Sequence, residues 1–202
     1  MLNDTLIKQL LNKKLLIFDF DGTLADTSAL HAQAFAETLA PFGIEINYSL
    51  LAGRKTLDAF IVCFDCAGLP TPDNELLAKL TINKQLRVRE LIANSVEPLP
   101  GVDKFLAWAK QHYRMAMVTS GSRGTVELAL EKLGYTGWFD PILFAEDVIH
   151  AKPHPEGFLR VLEITNISAN DALIFEDSEA GFKAANLAGL HYLDARTVFI
   201  TP

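Results

Sequence analysis

The chain has only two cysteines among its 202 residues, Cys63 and Cys66, which form one Cys-x-x-Cys pair. A zinc site with four ligands normally needs a second pair or a histidine cluster nearby, and this sequence offers neither. We therefore expect no structural zinc. The two thiols fit the buried side of a helix or a casual thiol pair, and a minor redox role stays open.

An excess of positive charge is also missing, because 18 Lys and Arg residues face 25 Asp and Glu residues and give a net charge of −7. Without a basic stripe we expect no nucleic-acid partner. No apolar run is long enough for a membrane helix, and residues 1–14 lack the apolar core of a signal peptide. We therefore expect a cytoplasmic monomer with no membrane partner.

Internal repeats and low-complexity tracts are absent as well, and apolar residues make up 50% of the chain. A chain of this length and composition can bury one substantial core and a smaller second one. Short apolar strands alternate with helical patterns, and this alternation predicts an α/β fold with a doubly wound parallel sheet. The predicted strands cover 14–19, 115–119, 142–145, 172–176 and 191–194. The predicted helices cover 28–41, 123–134, 155–164 and 179–189.

Between about 28 and 96 the strand pattern disappears and apolar residues recur at helical spacing. Leu57, Phe60 and Phe64 follow this spacing, a second helix begins after Thr71-Pro72-Asp73, and Pro98-Leu99-Pro100-Gly101 marks the return to the sheet. We therefore predict a helical cap over 28–96, inserted into a core domain formed by 1–27 and 97–202.

The most informative segment is Asp19-Phe20-Asp21-Gly22-Thr23-Leu24, which directly follows the apolar run Leu15-Leu16-Ile17-Phe18. Two carboxylates one residue apart at the end of a buried strand repel each other unless a cation or a shared proton compensates them. They are suitable ligands for Mg²⁺. The same segment also fits a solvated Asx-turn that closes a strand.

Three later segments place further polar groups at predicted strand or loop ends. They are Val118-Thr119-Ser120-Gly121-Ser122, Ala151-Lys152-Pro153-His154-Pro155 and Phe175-Glu176-Asp177-Ser178-Glu179-Ala180-Gly181. In an open parallel sheet the carboxyl ends of neighbouring strands converge on one crevice. We therefore expect these hydroxyl, ammonium and carboxylate groups to meet the carboxylates of Asp19 and Asp21.

These four motifs, in this order, resemble those of the haloacid dehalogenase superfamily of phosphohydrolases, and the resemblance covers nearly the whole chain. It implies a Rossmann-like core with an inserted cap, in which Asp19 is the nucleophile and Asp21 the general acid and base. It further implies that Thr119 binds phosphate and that Lys152 holds both phosphate and nucleophile. The implied cofactor is Mg²⁺, bound by Asp19, Asp177 and the main chain near Asp21, with Glu176 as a second acidic ligand.

Finer resemblances concern the substrate. The position of His31 and the segment Ser95-Val96-Glu97-Pro98-Leu99-Pro100 resemble the β-phosphoglucomutase-like subfamily and its bacterial fructose-1-phosphate and 6-phosphogluconate phosphatases. Lys84 matches a cap lysine there, although His31 also fits a partly exposed helix residue. After Gly53 the subfamily has a hydroxyl residue and then an arginine, whereas this chain has Arg54 and Lys55, which fit either a replacement or solvated lid residues.

The resemblance thus implies a Mg²⁺-dependent phosphatase that hydrolyses small phosphorylated sugars or related metabolites through an aspartyl-phosphate on Asp19. We expect substrate contacts from His31, Lys55, Lys84, Ser120 and Gly121. A β-phosphoglucomutase-type phosphoryl transfer between sugar phosphates uses the same groups and is the alternative. A catalytically idle sugar-phosphate sensor is a third reading, although the four acidic and basic core residues argue against it.

Overall fold

A computed structural model describes residues 4–199 of the protein. The strands are β1 (Leu15–Phe18), β2 (Arg114–Val118), β3 (Ile142–Leu143), β4 (Ala172–Glu176) and β5 (Tyr192–Asp194). The helices are α1 (Asp4–Leu10), α2 (Ser28–Leu39), α3 (Thr56–Cys66), α4 (Asn74–Ser95), α5 (Val102–Ala109), α6 (Arg123–Leu133), α7 (Glu156–Thr165), α8 (Glu179–Leu187) and α9 (Ala195–Val198).

The five strands form one parallel sheet in the order β3-β2-β1-β4-β5. Strand β1 lies in the centre, where Leu15 is in register with Arg114 on one side and Ala172 on the other. The chain builds outwards from β1 to β2 and β3 and then returns to β4 and β5. This arrangement confirms the predicted doubly wound sheet and places the carboxyl ends of β1, β2 and β4 side by side.

Apolar side chains cover both faces of the sheet, because successive residues of a strand point in opposite directions. Leu16 and Phe18 lie in one cluster with Phe105 of α5, while Leu15 and Ile17 lie in a second cluster with Phe158 of α7. Burial on both faces explains why the strands are apolar runs without polar alternation.

The segment between β1 and α5 is helical, residues 28–96 contain no strand, and we call this segment the cap. Helices α2, α3 and α4 enclose a third cluster that includes Phe35, Phe60 and Leu80. Val88 and Ile92, near the end of α4, belong to the main core instead. Helix α4 therefore runs from the small core of the cap into the core of the sheet domain.

Helices α1, α5 and α9 lie outside the predicted pattern. Helix α5 follows a Pro-rich turn and was not predicted from the sequence. Its Phe105 packs edge-on against Phe18, with 6.2 Å between the ring centroids. Cys63 is buried in α3 and Cys66 is exposed, and both thiols are free. Within residues 4–199, no helix combines the length and the hydrophobicity that crossing a membrane requires.

Candidate active site

Lys152 lies at the centre of the site, on the loop before α7. Its Nζ donates hydrogen bonds to Asp19 Oδ1 at 2.6 Å, to Glu176 Oε2 at 2.6 Å and to the main-chain oxygen of Val118 at 3.0 Å. The ammonium group thus uses its three donors at the carboxyl ends of β1, β4 and β2. Burial lowers the pKa of Lys152, but the carboxylates of Asp19 and Glu176 outweigh it and hold the pKa above its usual value.

Asp19 follows β1 directly and is 5% exposed. Burial, followed by the repulsion of Glu176, raises the pKa of Asp19 well above its usual value, and the charge of Lys152 opposes this only in part. A further cation beside Asp19 would therefore stabilise its charged form. Its Oδ2 atom accepts no hydrogen bond from the described residues, whereas Oδ1 faces Lys152.

Asp19, Glu176 and Asp177 bring carboxylate oxygens within 4.8 Å of one another. Burial and the Glu176 charge raise the pKa of Asp177 to about 6, against a hydrogen bond of 2.9 Å from Thr23 Oγ1. Gly22 has a φ of 82°, and a Cβ there would lie 2.4 Å from Asp177 Oδ2. Glycine at position 22 thus lets the turn after Asp21 pass close to the Asp177 carboxylate.

The donor set fits Mg²⁺, which is a hard cation that prefers carboxylate and carbonyl oxygens. Glu176 is less available than predicted, because Lys152 takes Oε2 and the main-chain and hydroxyl donors of Ser178 take Oε1. Asp19 and Asp177 each keep Oδ2 free of hydrogen bonds from the described residues. Among the three clustered carboxylates they are therefore the two with an oxygen available to a cation.

The carboxylate of Asp21 belongs to a different network. Its Oδ1 accepts a hydrogen bond from Thr27 Oγ1 at 2.6 Å and lies 3.3 Å from His31 Nε2, although that contact lacks hydrogen-bond geometry. His31 Nδ1 lies 2.8 Å from Lys84 Nζ on α4. Burial raises the pKa of Asp21, but His31, Thr27 and Lys84 together lower it to about 2.

The partners of Asp21 come from the cap and are themselves buried, with His31 at 7% and Lys84 at 2% exposure. Burial and the neighbouring Lys84 lower the pKa of His31, and burial lowers the pKa of Lys84 to about 8. The nearby carboxylate of Asp21 opposes both shifts, because it stabilises the charged forms of His31 and Lys84. The structure therefore joins the cap to the predicted acid and base through two side chains named from the sequence.

The loop after β2 carries Thr119, Ser120 and Gly121. Thr119 Oγ1 accepts from Gly121 N at 3.0 Å, and Ser120 Oγ donates to the main-chain oxygen of Gly53 in the cap at 2.7 Å. A Cβ on Gly121 would lie 2.6 Å from Val126 and 3.3 Å from Asp21 Oδ2. Glycine thus lets this loop pass close to Asp21, and Ser120 links the core to the cap.

A cleft between cap and core contains Asp19, Asp21, Asp177, His31 and Lys84. Arg54 also lines it, whereas Lys55 lines a neighbouring cleft and donates to the main-chain oxygen of Val148 at 2.7 Å. The two basic residues that follow Gly53, in place of the hydroxyl residue and arginine of the subfamily, thus line two different clefts. Arg123 lines neither, because its guanidinium pairs with Asp147 at 2.8 Å.

Sequence reasoning missed several polar side chains of the central cleft. They are Ser28, Tyr48, Gln85 and Thr125; Ser122 also lines the cleft and belongs to a motif named from the sequence, but it was assigned no role. The carboxylates of Asp21, Asp177 and Asp19 face Tyr48 and, after burial, add to the rise in its pKa. Only the Ser-x-x-Thr spacing at the start of α6 carried a sequence signal, because residues three apart share a helix face.

Comparisons with known proteins assign this fold and site to a family of hydrolases. The model of the haloacid dehalogenase-like hydrolases matches residues 16–195, so the chain belongs to that family. Relatives with phosphatase names include the fructose-1-phosphate phosphatase YqaB of Escherichia coli, which is 32% identical over 183 residues. The aligned region covers 90% of this chain and 95% of YqaB.

Protein CbbY of Rhodobacter capsulatus is 34% identical over 189 residues, which cover 88% of this chain and 82% of CbbY. Among solved structures, CbbY of Rhodobacter sphaeroides in complex with xylulose-1,5-bisphosphate matches with a TM-score of 0.78 and 29% identity, over 89% of this chain and 84% of that one. The β-phosphoglucomutase of Clostridium difficile matches with a TM-score of 0.81 and 25% identity, over 90% and 84%. The predicted family and its subfamily are thereby confirmed.

Proposed function

We propose that the protein is a Mg²⁺-dependent phosphatase of small phosphorylated sugars that works through an aspartyl-phosphate on Asp19. The observation that carries this proposal is the buried Asp19 carboxylate, held by Lys152 at 2.6 Å beside Asp177, at one end of a cleft that also contains Asp21. A carboxylate that accepts the phosphoryl group divides one difficult displacement into two easier ones.

In the first step an oxygen of Asp19 forms a bond to phosphorus while the bond from phosphorus to the sugar oxygen breaks. Asp21 gives its proton to the departing sugar oxygen. The anionic phosphoryl group raises the low pKa of Asp21 when it binds, since a like charge disfavours the carboxylate. Lys152, whose ammonium stays charged, neutralises part of the charge on the equatorial oxygens.

In the second step Asp21 takes a proton from water, and the water oxygen forms a bond to phosphorus. The bond from phosphorus to Asp19 breaks, and inorganic phosphate leaves with the carboxylate restored. Asp21 thus begins and ends the cycle in the same state, as acid–base catalysis requires. Thr119, 4% exposed at the end of β2, is proposed to bind a phosphate oxygen with its hydroxyl.

Mg²⁺, when bound, supplies positive charge and orients the phosphoryl oxygens. Asp19 and Asp177 are the residues proposed to hold it, with the main-chain carbonyl of Asp21. Glu176 would mainly position Lys152 and the turn at Ser178, because its oxygens are already engaged there.

The cap would close over the reacting groups and exclude water from the phosphoenzyme. Ser120 donates a hydrogen bond from the core to Gly53 of the cap, and His31 and Lys84 reach Asp21 from the cap. We propose that these cap residues, with Gly121 lining the cleft, select the sugar part of the substrate. Lys55 would contribute from the neighbouring cleft.

The substrate class rests on the relatives, of which one is named a fructose-1-phosphate phosphatase and another, from Thermotoga maritima, a phosphorylated carbohydrates phosphatase. The likeness to a β-phosphoglucomutase keeps a second function open, in which the phosphoryl group returns to a sugar instead of to water. Both functions use Asp19 and Asp21 in the same way.

The test is a panel of sugar phosphates, ranked by kcat/KM with saturating Mg²⁺ and with phosphate release as readout. β-Glucose 1-phosphate with a coupled glucose 6-phosphate assay separates the two functions, since hydrolysis releases phosphate without forming the isomer. Asp19→Asn should abolish turnover, because the amide cannot accept the phosphoryl group. Asp26→Asn, an exposed acid beside the same loop, is the matched control. Turnover by Asp19→Asn close to wild type would contradict the proposal.

A further inference from the structure

Three polar side chains lie in a row where cap helix α4 meets core helix α6. Arg89 Nε donates to Thr125 Oγ1 at 3.2 Å, and Thr125 Oγ1 lies 2.9 Å from Ser122 Oγ. Thr125 is 3% and Ser122 is 7% exposed, and both line the central cleft that contains Asp19 and Asp21. The row thus leads from the back of the cap to the substrate cleft.

The hydrogens of this row can be counted. A guanidinium only donates, so Thr125 Oγ1 is the acceptor for Arg89. The two hydroxyls carry one hydrogen each, and the contact between them uses one of these hydrogens. The other has no acceptor among the described residues. Whichever hydroxyl donates to its neighbour, one O–H therefore remains available to the cleft.

Local structure frees Ser122 for this purpose. It occupies the N-cap position of α6, where a serine hydroxyl usually accepts from the main chain of the first turn, yet here it makes no such bond. The main-chain oxygen of Ser122 accepts from Thr125 N at 3.0 Å instead, and Glu146 Oε2 accepts from Arg123 N at 3.0 Å. The serine side chain can therefore turn towards Thr125 and the cleft.

Gly124 lies against the guanidinium of Arg89. A Cβ on Gly124 would lie 2.9 Å from Nη2 and 3.1 Å from Cζ of Arg89, so a larger residue there would require the guanidinium to shift. The guanidinium thus lies directly against the backbone of α6 at this glycine.

We propose that the Ser122 and Thr125 hydroxyls, oriented by Arg89, form a subsite that donates a hydrogen bond to an uncharged oxygen of the substrate, a sugar hydroxyl or carbonyl remote from the reacting phosphoryl group. Hydroxyl donors face the cleft here and the guanidinium does not, which suits an uncharged oxygen. Donation from Arg89 also strengthens the next hydrogen bond along the chain. The inference rests on the proposed sugar-phosphatase function, and Arg89 is a positioning residue in it.

The experiment compares kcat/KM for fructose 1-phosphate with kcat/KM for p-nitrophenyl phosphate, which has no sugar oxygens. Arg89→Met, Thr125→Val and Ser122→Ala should each lower the ratio of the two values by about 3- to 10-fold, the effect of one hydrogen bond. Thr125→Ser keeps the hydroxyl and should restore the ratio. Arg87→Met is the matched control, because Arg87 lies on the same helix but pairs with the exposed Glu37.

Arg89→Met combined with Thr125→Val should lower the ratio no more than either change alone, because both interrupt one chain. Equal losses on the two substrates, additive losses in the double variant, or no rescue by Thr125→Ser would overturn the subsite. Such results would leave Arg89 with a purely structural role between cap and core, visible only as a lower Tm.

Direct binding separates this inference from the proposed function. In the Asp19→Asn background, calorimetry should show tighter binding of fructose 1-phosphate than of inorganic phosphate, and Arg89→Met should reduce that preference by the same factor. Equal binding of both ligands refutes the subsite. Failure of the wild type to release phosphate from any sugar ester, with the binding preference intact, refutes the phosphatase function and leaves the subsite standing.

Discussion

Replacing Lys152 by Met tests the electrostatic core of the site most directly. Methionine keeps an unbranched chain of similar length but removes the ammonium that lies 2.6 Å from both Asp19 and Glu176. The side chains of these partners are 7% and 0% exposed. Removal of one member of a buried ion pair costs about 3–5 kcal/mol, because the remaining charge stays desolvated and uncompensated.

For a chain of this size each kcal/mol lowers Tm by roughly 2–4 °C, so we expect a drop of roughly 6–20 °C and a matching loss in the free energy of unfolding in urea. The control is Lys14→Met. Lys14 also pairs with a carboxylate at 2.8 Å, that of Asp171, but its side chain is 68% exposed. Solvent screens such a pair, so this variant should stay close to wild type.

The loss should also depend on pH in a definite direction. The pKa of Asp19 is already raised in the folded state and rises further without Lys152. An acid whose folded pKa exceeds its unfolded value binds more protons when folded, so stability falls as pH rises from about 4 through the folded pKa. The deficit of Lys152→Met should therefore be larger at pH 8 than at pH 5, measured in EDTA. A loss as small as that of Lys14→Met, or one independent of pH, would refute the reasoning.

Three further predictions follow from the same geometry. Asp177→Ala should steeply weaken Mg²⁺ binding, and the Mg²⁺ affinity of the wild type should weaken as pH falls through about 6, where Asp177 gains a proton; calorimetry without substrate measures both. Asp21→Ala should slow hydrolysis of sugar phosphates by roughly 10²–10⁴ but that of p-nitrophenyl phosphate much less, because nitrophenolate leaves without a proton. Lys84→Met should change the ranking of sugar substrates, whereas Lys79→Met, exposed on the same helix, should not; an unchanged ranking would remove Lys84 from substrate selection.

The cap shows how far local patterns reach. Helical spacing predicted α3 correctly, because burial on one side leaves a periodic trace in sequence: Phe60 and Phe64 are buried, although Leu57 of the same pattern is 42% exposed. Helix α5 left a weaker trace behind Pro98 and Gly101, although its Phe105 packs against β1 and β4. A hydrophobic pattern indicates which face of a helix or strand is buried. It does not indicate which other helix or strand packs against that face.

The amino-acid sequence by itself determined the alternation of strands and helices and the positions of the candidate reacting groups. Both are local properties, since a buried parallel strand needs an apolar run and the groups at its end follow directly in the chain. Asp19, Thr119, Lys152 and Asp177 were therefore identifiable as neighbours of predicted strand or loop ends.

Only the tertiary structure decided how those groups are paired. In the structure Glu176 accepts hydrogen bonds from Lys152 and Ser178. The Asp21 carboxylate lies beside His31, which in turn contacts Lys84. Arg54 and Lys55 line two different clefts. Arg89 also contacts Thr125, which lies 36 residues later in the sequence and next to Ser122 in the structure. Arg89 belongs to the predicted cap, whereas Ser122 and Thr125 belong to the predicted core domain. Pairing depends on distances and burial across the chain, and a single sequence records neither.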